Sequence, residues 1–188
     1  MQALKVAQGA ASQTSVDRAA MNAMAAPSIA AQVELGLRRL CKTVVVITSW
    51  HDGKRWAMTA TSLSEFSKDP PSLLICVDKA DSLHTPLSAG ANFCINILSA
   101  DQRAVSRRCD EGIRRSARFA EGRWGSGACG SPYLCDGQAS FFCDYETHFE
   151  HGSHLILIGA VKEVQISGGI DPLVCLDGAY GRATRMPD

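Results

Sequence analysis

Thr43-Val44-Val45-Val46-Ile47-Thr48-Ser49, then His51-Asp52-Gly53-Lys54, then Trp56-Ala57-Met58-Thr59-Ala60-Thr61-Ser62: this stretch decides the fold. Two strand-like runs flank an Asp-Gly pair, and those two residue types tolerate the positive φ that a two-residue hairpin turn requires. The pattern predicts a pair of antiparallel strands. Runs of the same kind recur at 73–77, 93–98, 140–147, 154–166 and 173–176, so the chain reads as an antiparallel meander of six or seven strands.

Helical signals are few. Ser99 with Gln102 three residues on forms a capping box, opening a helix to about Arg108 with Val105 on its apolar side. Residues 116–121 add a turn or two, and Val33, Leu37, Leu40 and Cys41 make the stripe of a short amphipathic helix expected to lie against a core. Many strands, little helix and no strand–helix alternation give a mainly β chain whose antiparallel sheet closes, or nearly closes, into a barrel, which removes exposed edges.

At 188 residues, 46% hydrophobic and 20% charged, the chain can build one real core. Residues 1–30, rich in Ala, Ser and Gln with Lys5 and Arg18 against Asp17, lack the continuous apolar stretch of a secretion signal. They are expected to be a mobile tail ahead of a single domain over 31–188. A net charge of zero leaves no electrostatic footprint for nucleic acid or an anionic membrane, so affinity must come from a pocket. The eight cysteines never form C-x-x-C, and several sit in apolar runs as small hydrophobes, a usage that points to a reducing compartment and the cytoplasm. No apolar run approaches the roughly 18 residues of a membrane span.

Two motifs invite readings that their context denies. Gly125-Ser126-Gly127-Ala128-Cys129-Gly130 is a literal G-x-G-x-x-G, but no apolar strand precedes it and no helix follows, so it reads as a glycine-rich loop rather than a dinucleotide fingerprint. His148, His151 and His154 are spaced by three, yet on a strand adjacent members face opposite sides, and no Cys or carboxylate pattern completes a zinc site. No metal is expected.

Between the predicted strands lies a cradle. Met58-Thr59-Ala60-Thr61-Ser62 leads through Asp69-Pro70-Pro71 to Cys76-Val77-Asp78, then the Lys79 to Ser82 segment and Asn92-Phe93-Cys94-Ile95-Asn96. Small residues allow close backbone approach to a planar ligand, while hydroxyls and N–H groups bind phosphate or sugar oxygens.

In order and spacing these segments resemble the short-chain flavin reductases of the FMN-binding split-barrel fold, the partners of two-component monooxygenases. The likeness continues to Arg118-Phe119, where the family carries a similar pair close to the cofactor, to Gly152-Ser153-His154 and to Tyr180. The resemblance implies an antiparallel split barrel of six or seven strands with a few short helices, forming a homodimer. It implies flavin binding, FMN or FAD, by Met58 to Ser62, Cys76 to Asp78, Ser82, Asn92 to Asn96, Arg118 and Phe119. Gly152, Ser153, His154 and Tyr180 fall around the nicotinamide of NADH or NADPH, with His154 the catalytic residue. Ser153 stands where the family's Gly-Asp-His motif has Asp, which leaves the glycine turn and the histidine in place. The implied reaction is hydride transfer from NAD(P)H to flavin, the reduced flavin then diffusing to a separate monooxygenase acting on an organic, usually aromatic, substrate. No nucleophile or metal is needed, because the cofactors carry the chemistry and the protein supplies geometry. Two alternatives are a flavin carrier without turnover and a split-barrel oxidase of pyridoxal-type phosphates, the latter needing a clustered basic phosphate clamp.

Overall fold

The computed structural model describes residues 27–110, 112–127 and 129–186. Most of the expected tail therefore lies outside the described residues. The chain divides into two compact units, Met1–Arg39 and Leu40–Asp188. In the first, helix α1 (Ile29–Leu37) begins at Ser28, whose hydroxyl accepts the Ala31 N–H. The expected amphipathic helix thus exists, but none of its residues is buried, and Leu40 and Cys41 fall beyond its end.

In the second unit the hairpin forms as predicted: β2 (Val45–His51) pairs with β3 (Lys54–Ala60) from Val45↔Ala60 to His51↔Lys54. Asp52 and Gly53 both take positive φ, 50° and 69°, as this turn demands. The other main strands are β4 (Leu63–Lys68), β5 (Pro71–Asp78), β6 (Phe93–Ile97), β9 (Ala139–His151) and β10 (His154–Ile166). They form one antiparallel sheet in the order β3-β2-β6-β9-β10-β5-β4. Its two edge strands are consecutive in the chain, joined only by Thr61 and Ser62. In a flat seven-stranded sheet the edges would stand about 29 Å apart, whereas the three peptide steps from Ala60 to Leu63 reach at most about 11 Å. The sheet must therefore curl until its edges meet at this link, giving the expected split barrel with Thr61-Ser62 at the corner that closes it.

The barrel interior holds Val45, Ile47, Ile75, Val77, Phe93, Ile95, Leu155 and Leu157, all fully buried. Gly159 is required here, because a Cβ on it would drive into the Phe93 ring. A second core lies on the outer face of β2 and β3, where Val44, Val46 and Ala57 meet Leu98, Val105, Cys109, Leu134 and Leu173. It is roofed by helix α3 (Arg103–Arg108), by the small sheet of β1 (Lys42–Thr43), β11 (Leu173–Leu176) and β12 (Ala179–Arg182), and by the hairpin of β7 (Trp124–Ser126) and β8 (Pro132–Leu134). Gln102 returns its side chain to the Ser99 N–H at 2.9 Å, but the Ser99 hydroxyl makes no cap: α3 begins at Arg103 with Gln102 at its N-cap and no side-chain cap bond. Helix α2 (His84–Ser88) follows the Asp78–Leu83 loop and buries Pro86 and Leu87. The glycine-rich stretch lies within the β7–β8 hairpin: a Cβ on Gly125 would come within 2.6 Å of the Tyr133 ring, and one on Gly127 would strike Phe142. Close packing thus explains those glycines without a dinucleotide.

Candidate active site at the barrel corner

The closing corner gathers most of the expected cradle. Ser62 is fixed to β5 from both sides, its hydroxyl donating to Cys76 O at 2.7 Å and its carbonyl accepting the Cys76 N–H at 3.3 Å. Thr59 is fixed to the second core: its hydroxyl donates to Ser106 O at 2.6 Å, and its N–H donates to Cys109 O at 3.0 Å. Burial pushes the Cys109 thiol up to about 12, which keeps this anchor neutral. Tyr180 joins the same point, its hydroxyl 2.9 Å from that of Ser106. On the far side of the corner, β5 and β10 run in register with His154 opposite Asp78, and Lys79 donates its N–H to Ser153 O at 2.9 Å. Gly152, with φ of 55°, and Ser153 form the two-residue turn between β9 and β10, which sets His154 at the first position of its strand. Its ring is exposed, with Nδ1 2.9 Å from the Ser153 hydroxyl, so Nε2 faces outward.

The strand pleat sorts the expected ligands by side. Ile75, Val77, Leu155 and Leu157 point into the barrel, while Cys76, Asp78, His154 and Ile156 share the outer face. Met58 and Ala60 also join the interior core. These buried members of the cradle, Val77 among them, can offer a ligand backbone only. The hydroxyls of Thr61 and Ser82 are half-buried and have no hydrogen-bond partner among the described residues, nor do the N–H groups of Thr61 and Ser62. Uncommitted donors at a tight corner are the set that phosphate and ribityl oxygens need, so the site fits a flavin.

Three groups of expected ligands have side chains committed to the protein itself. Phe93, Cys94, Ile95 and Asn96 are wholly inaccessible in the central strand β6. Asn96 is a structural hub: its amide donates to Val46 O at 3.0 Å, and its oxygen accepts the Leu134 N–H and the Ser140 hydroxyl, each at 2.9 Å. Asn92 is committed to Asp144 at 2.8 Å and to the Tyr145 N–H at 2.9 Å. Arg118 is 5% exposed and faces Asp81 rather than open space, and Phe119 is stacked edge-on to Trp124 with the Arg55 guanidinium 4.4 Å above its ring. Other arginines of this stretch of sequence point apart: Arg115 lies over Trp56, while Arg103, Arg107 and Arg108 border an open hollow of about 510 Å³ beyond α3. Of the spaced histidines, His148 bonds the Tyr145 hydroxyl at 2.8 Å, and His151 and His154 face each other across the hairpin end. Sequence reasoning missed Asp81, Ser106 and Cys109. Only Asp81 carried a local signal, an Asx turn just before a helix, and its carboxylate accepts the Leu83 N–H at 2.6 Å.

Comparison with known proteins places this geometry. The family described as flavin reductase like domain matches residues 37–184. "FMN reductase (NADH) RutF 1" of Methylorubrum extorquens is 32% identical over 163 residues, 87% of this chain and 81% of that protein. The reductase component of the FADH(2)-dependent resorcinol hydroxylase of a Rhizobium species is 30% identical, over 87% of this chain and 93% of its own length. Among solved structures, the Streptomyces globisporus NADH:FAD oxidoreductase SgcE6, in complex with NAD and FAD fragments, superposes with a TM-score of 0.79 at 25% identity, covering 87% of this chain and 98% of that one.

Proposed function

This chain belongs to the flavin reductase like domain family, and on that premise we propose that its barrel corner takes a flavin and a reduced pyridine nucleotide together and moves a hydride between them. The protein is an NAD(P)H-dependent flavin reductase, and the reduced flavin it releases serves a separate monooxygenase. The observation that carries the site assignment is the Thr61-Ser62 link, a closing corner with unpaired hydroxyl and N–H donors between strand ends already fixed by hydrogen bonds.

Bound flavin supplies the electron-accepting ring chemistry. This chain's residues hold it. Thr61, Ser62 and Ser82 present donors to the phosphate and ribityl oxygens, while Thr59 and Ser62, tied to α3 and β5, keep those donors from shifting as the ligand arrives. His154 stands at the mouth of β10 with Nδ1 engaged by Ser153, which leaves Nε2 free to meet the nicotinamide that this site would hold. Tyr180, braced by Ser106, closes the opposite end.

The assembly we propose is a homodimer. Beside the corner, the outer face of β9, β10 and β5 carries Phe149 and Ile156 in register with Cys76, and Phe66 on β4 adds to them; Phe149 and Phe66 are 58% and 55% exposed. Apolar side chains of that size beside a ligand site mark a surface suited to a second copy. Among the described residues no helix is long and apolar enough to cross a membrane. The chain is proposed to act in the cytoplasm, in keeping with eight cysteines that are all free thiols. The pyridoxal-phosphate alternative is less well served, because Lys79 is engaged with Glu150 at 2.8 Å and Arg118 with Asp81 rather than gathered into a phosphate clamp. The test is NADH and NADPH oxidation with FMN and FAD in turn, followed by anaerobic addition of NADH to the flavin-loaded protein. Flavin-dependent oxidation with bleaching of the bound flavin is expected, and bound flavin that NADH does not bleach would leave a carrier instead.

A further inference from the structure

We infer that Asp81 and Arg118 form a buried clamp that holds the flavin corner in shape, with Asp81 a positioning residue of the site. The inference rests on the corner being the flavin site. The two residues are 7% and 5% exposed, and Asp81 Oδ2 lies 3.8 Å from Arg118 Nη1. Each remaining contact lands on a different wall of the corner. Asp81 Oδ1 accepts the Leu83 N–H, shaping the loop that carries Ser82. Arg118 Nη1 donates to Ala57 O on β3, two residues before Thr59. Arg118 Nε donates to Ile113 O at 3.1 Å, ordering the segment that ends in Phe119. The Arg118 carbonyl accepts the Cys109 thiol at 3.5 Å, and Cys109 O in turn takes the Thr59 N–H. One guanidinium thus ties the Ser82 loop, the Thr59 strand and the Phe119 segment into a fixed frame.

Stability alone does not account for such a pair. Two buried charges lose hydration that their attraction only partly returns, and apolar replacements of similar volume are often as stable. What apolar contacts lack is direction. A guanidinium fork bonded to several chain segments fixes their spacing, which a ligand held by short hydrogen bonds requires.

The test compares Asp81→Asn, Arg118→Met, Arg118→Lys and the double variant Asp81→Leu/Arg118→Met with the full wild-type chain. Two quantities are measured: the melting temperature without flavin, and the FMN dissociation constant from quenching of tryptophan fluorescence. Asp81→Asn and Arg118→Met are expected to melt lower and to bind FMN about tenfold more weakly. The double variant should recover most of the melting temperature while its FMN affinity stays weakened. Arg118→Lys, which keeps the charge but loses the fork, should likewise keep stability and lose affinity. A double variant that folds and binds FMN as tightly as wild type overturns the clamp, as does affinity that follows melting temperature in every variant. A wild-type chain that binds no FMN at all defeats the site assignment itself, a result distinct from either.

Discussion

Replacing Asn96 by Ala should cost folding stability and leave flavin affinity alone. The side chain is wholly buried and joins three strands and the β8 hairpin, bonding Val46 O, the Leu134 N–H and the Ser140 hydroxyl. Truncation strands the Leu134 N–H inside the protein, whereas the Val46 carbonyl keeps the backbone of residue 96 as its strand partner and the Ser140 hydroxyl has freedom to turn. An unsatisfied buried group costs about 1–3 kcal/mol, and the other two lost bonds add about 1 kcal/mol, for a loss of about 2–4 kcal/mol. Against a typical total of about 5–15 kcal/mol this is a large fraction. At about 2–4 °C per kcal/mol for a chain of this size, the melting temperature should fall by roughly 4–16 °C. Calorimetry gives the shift, and FMN titration well below the lowered melting point gives the affinity. An Asn96→Ala chain that melts like wild type but binds FMN tenfold more weakly would refute the reasoning, because Asn96 would then be a ligand and β6 would not be sealed.

Other expectations concern the corner and the thiols. Thr61→Val removes an unpartnered hydroxyl and nothing from the core, so FMN should bind about tenfold more weakly, about 1.4 kcal/mol, with an unchanged melting temperature. His154→Ala should lower kcat/KM for NADH about tenfold with little change in FMN affinity, and steady-state kinetics at saturating FMN reads this. Burial pushes the Cys109 and Cys143 thiols up to about 12 and the Cys94 thiol further, whereas Cys41, Cys129 and Cys135 are exposed. A thiol reagent at pH 8 should therefore modify the exposed three quickly and the buried three only on unfolding. The sign for stability follows: the folded chain keeps these thiol protons above about pH 9, where unfolded thiols lose theirs, so denaturant midpoints should fall as pH rises past 9.

The parts of the fold that were legible in the sequence are those with a strong local cause. All seven apolar runs became strands, and the Asp52-Gly53 turn formed where expected, whereas the helix expected to open at Ser99 begins only at Arg103 with no side-chain cap. Strand β4 escaped notice because Leu63-Ser64-Glu65-Phe66-Ser67-Lys68 is an edge strand with most of its side chains in solvent, so it has little apolar pattern to show. The β11–β12 hairpin was announced by Asp177-Gly178, the same positive-φ pair as in the first hairpin, but the short Ala179–Arg182 partner has no apolar run. The site was legible as a set of segments, not as a set of ligands. A strand buried on both faces, such as β6, gives no alternation from which to tell a core residue from one that lines a groove. The partner of Arg118 was beyond reach for a different reason, since the ion pair joins a loop before α2 to one after α3 and only the closed barrel brings them together.

The corner assignment is tested most directly by amide hydrogen exchange of the whole protein with and without FMN. The account predicts slowed exchange at Thr61, Ser62, the Lys79–Ser82 loop and the Ser153–His154 turn, where the donors lie, with the core strand β6 unchanged. Protection confined to α3 and its arginines, with the corner exchanging as freely as before, would contradict it.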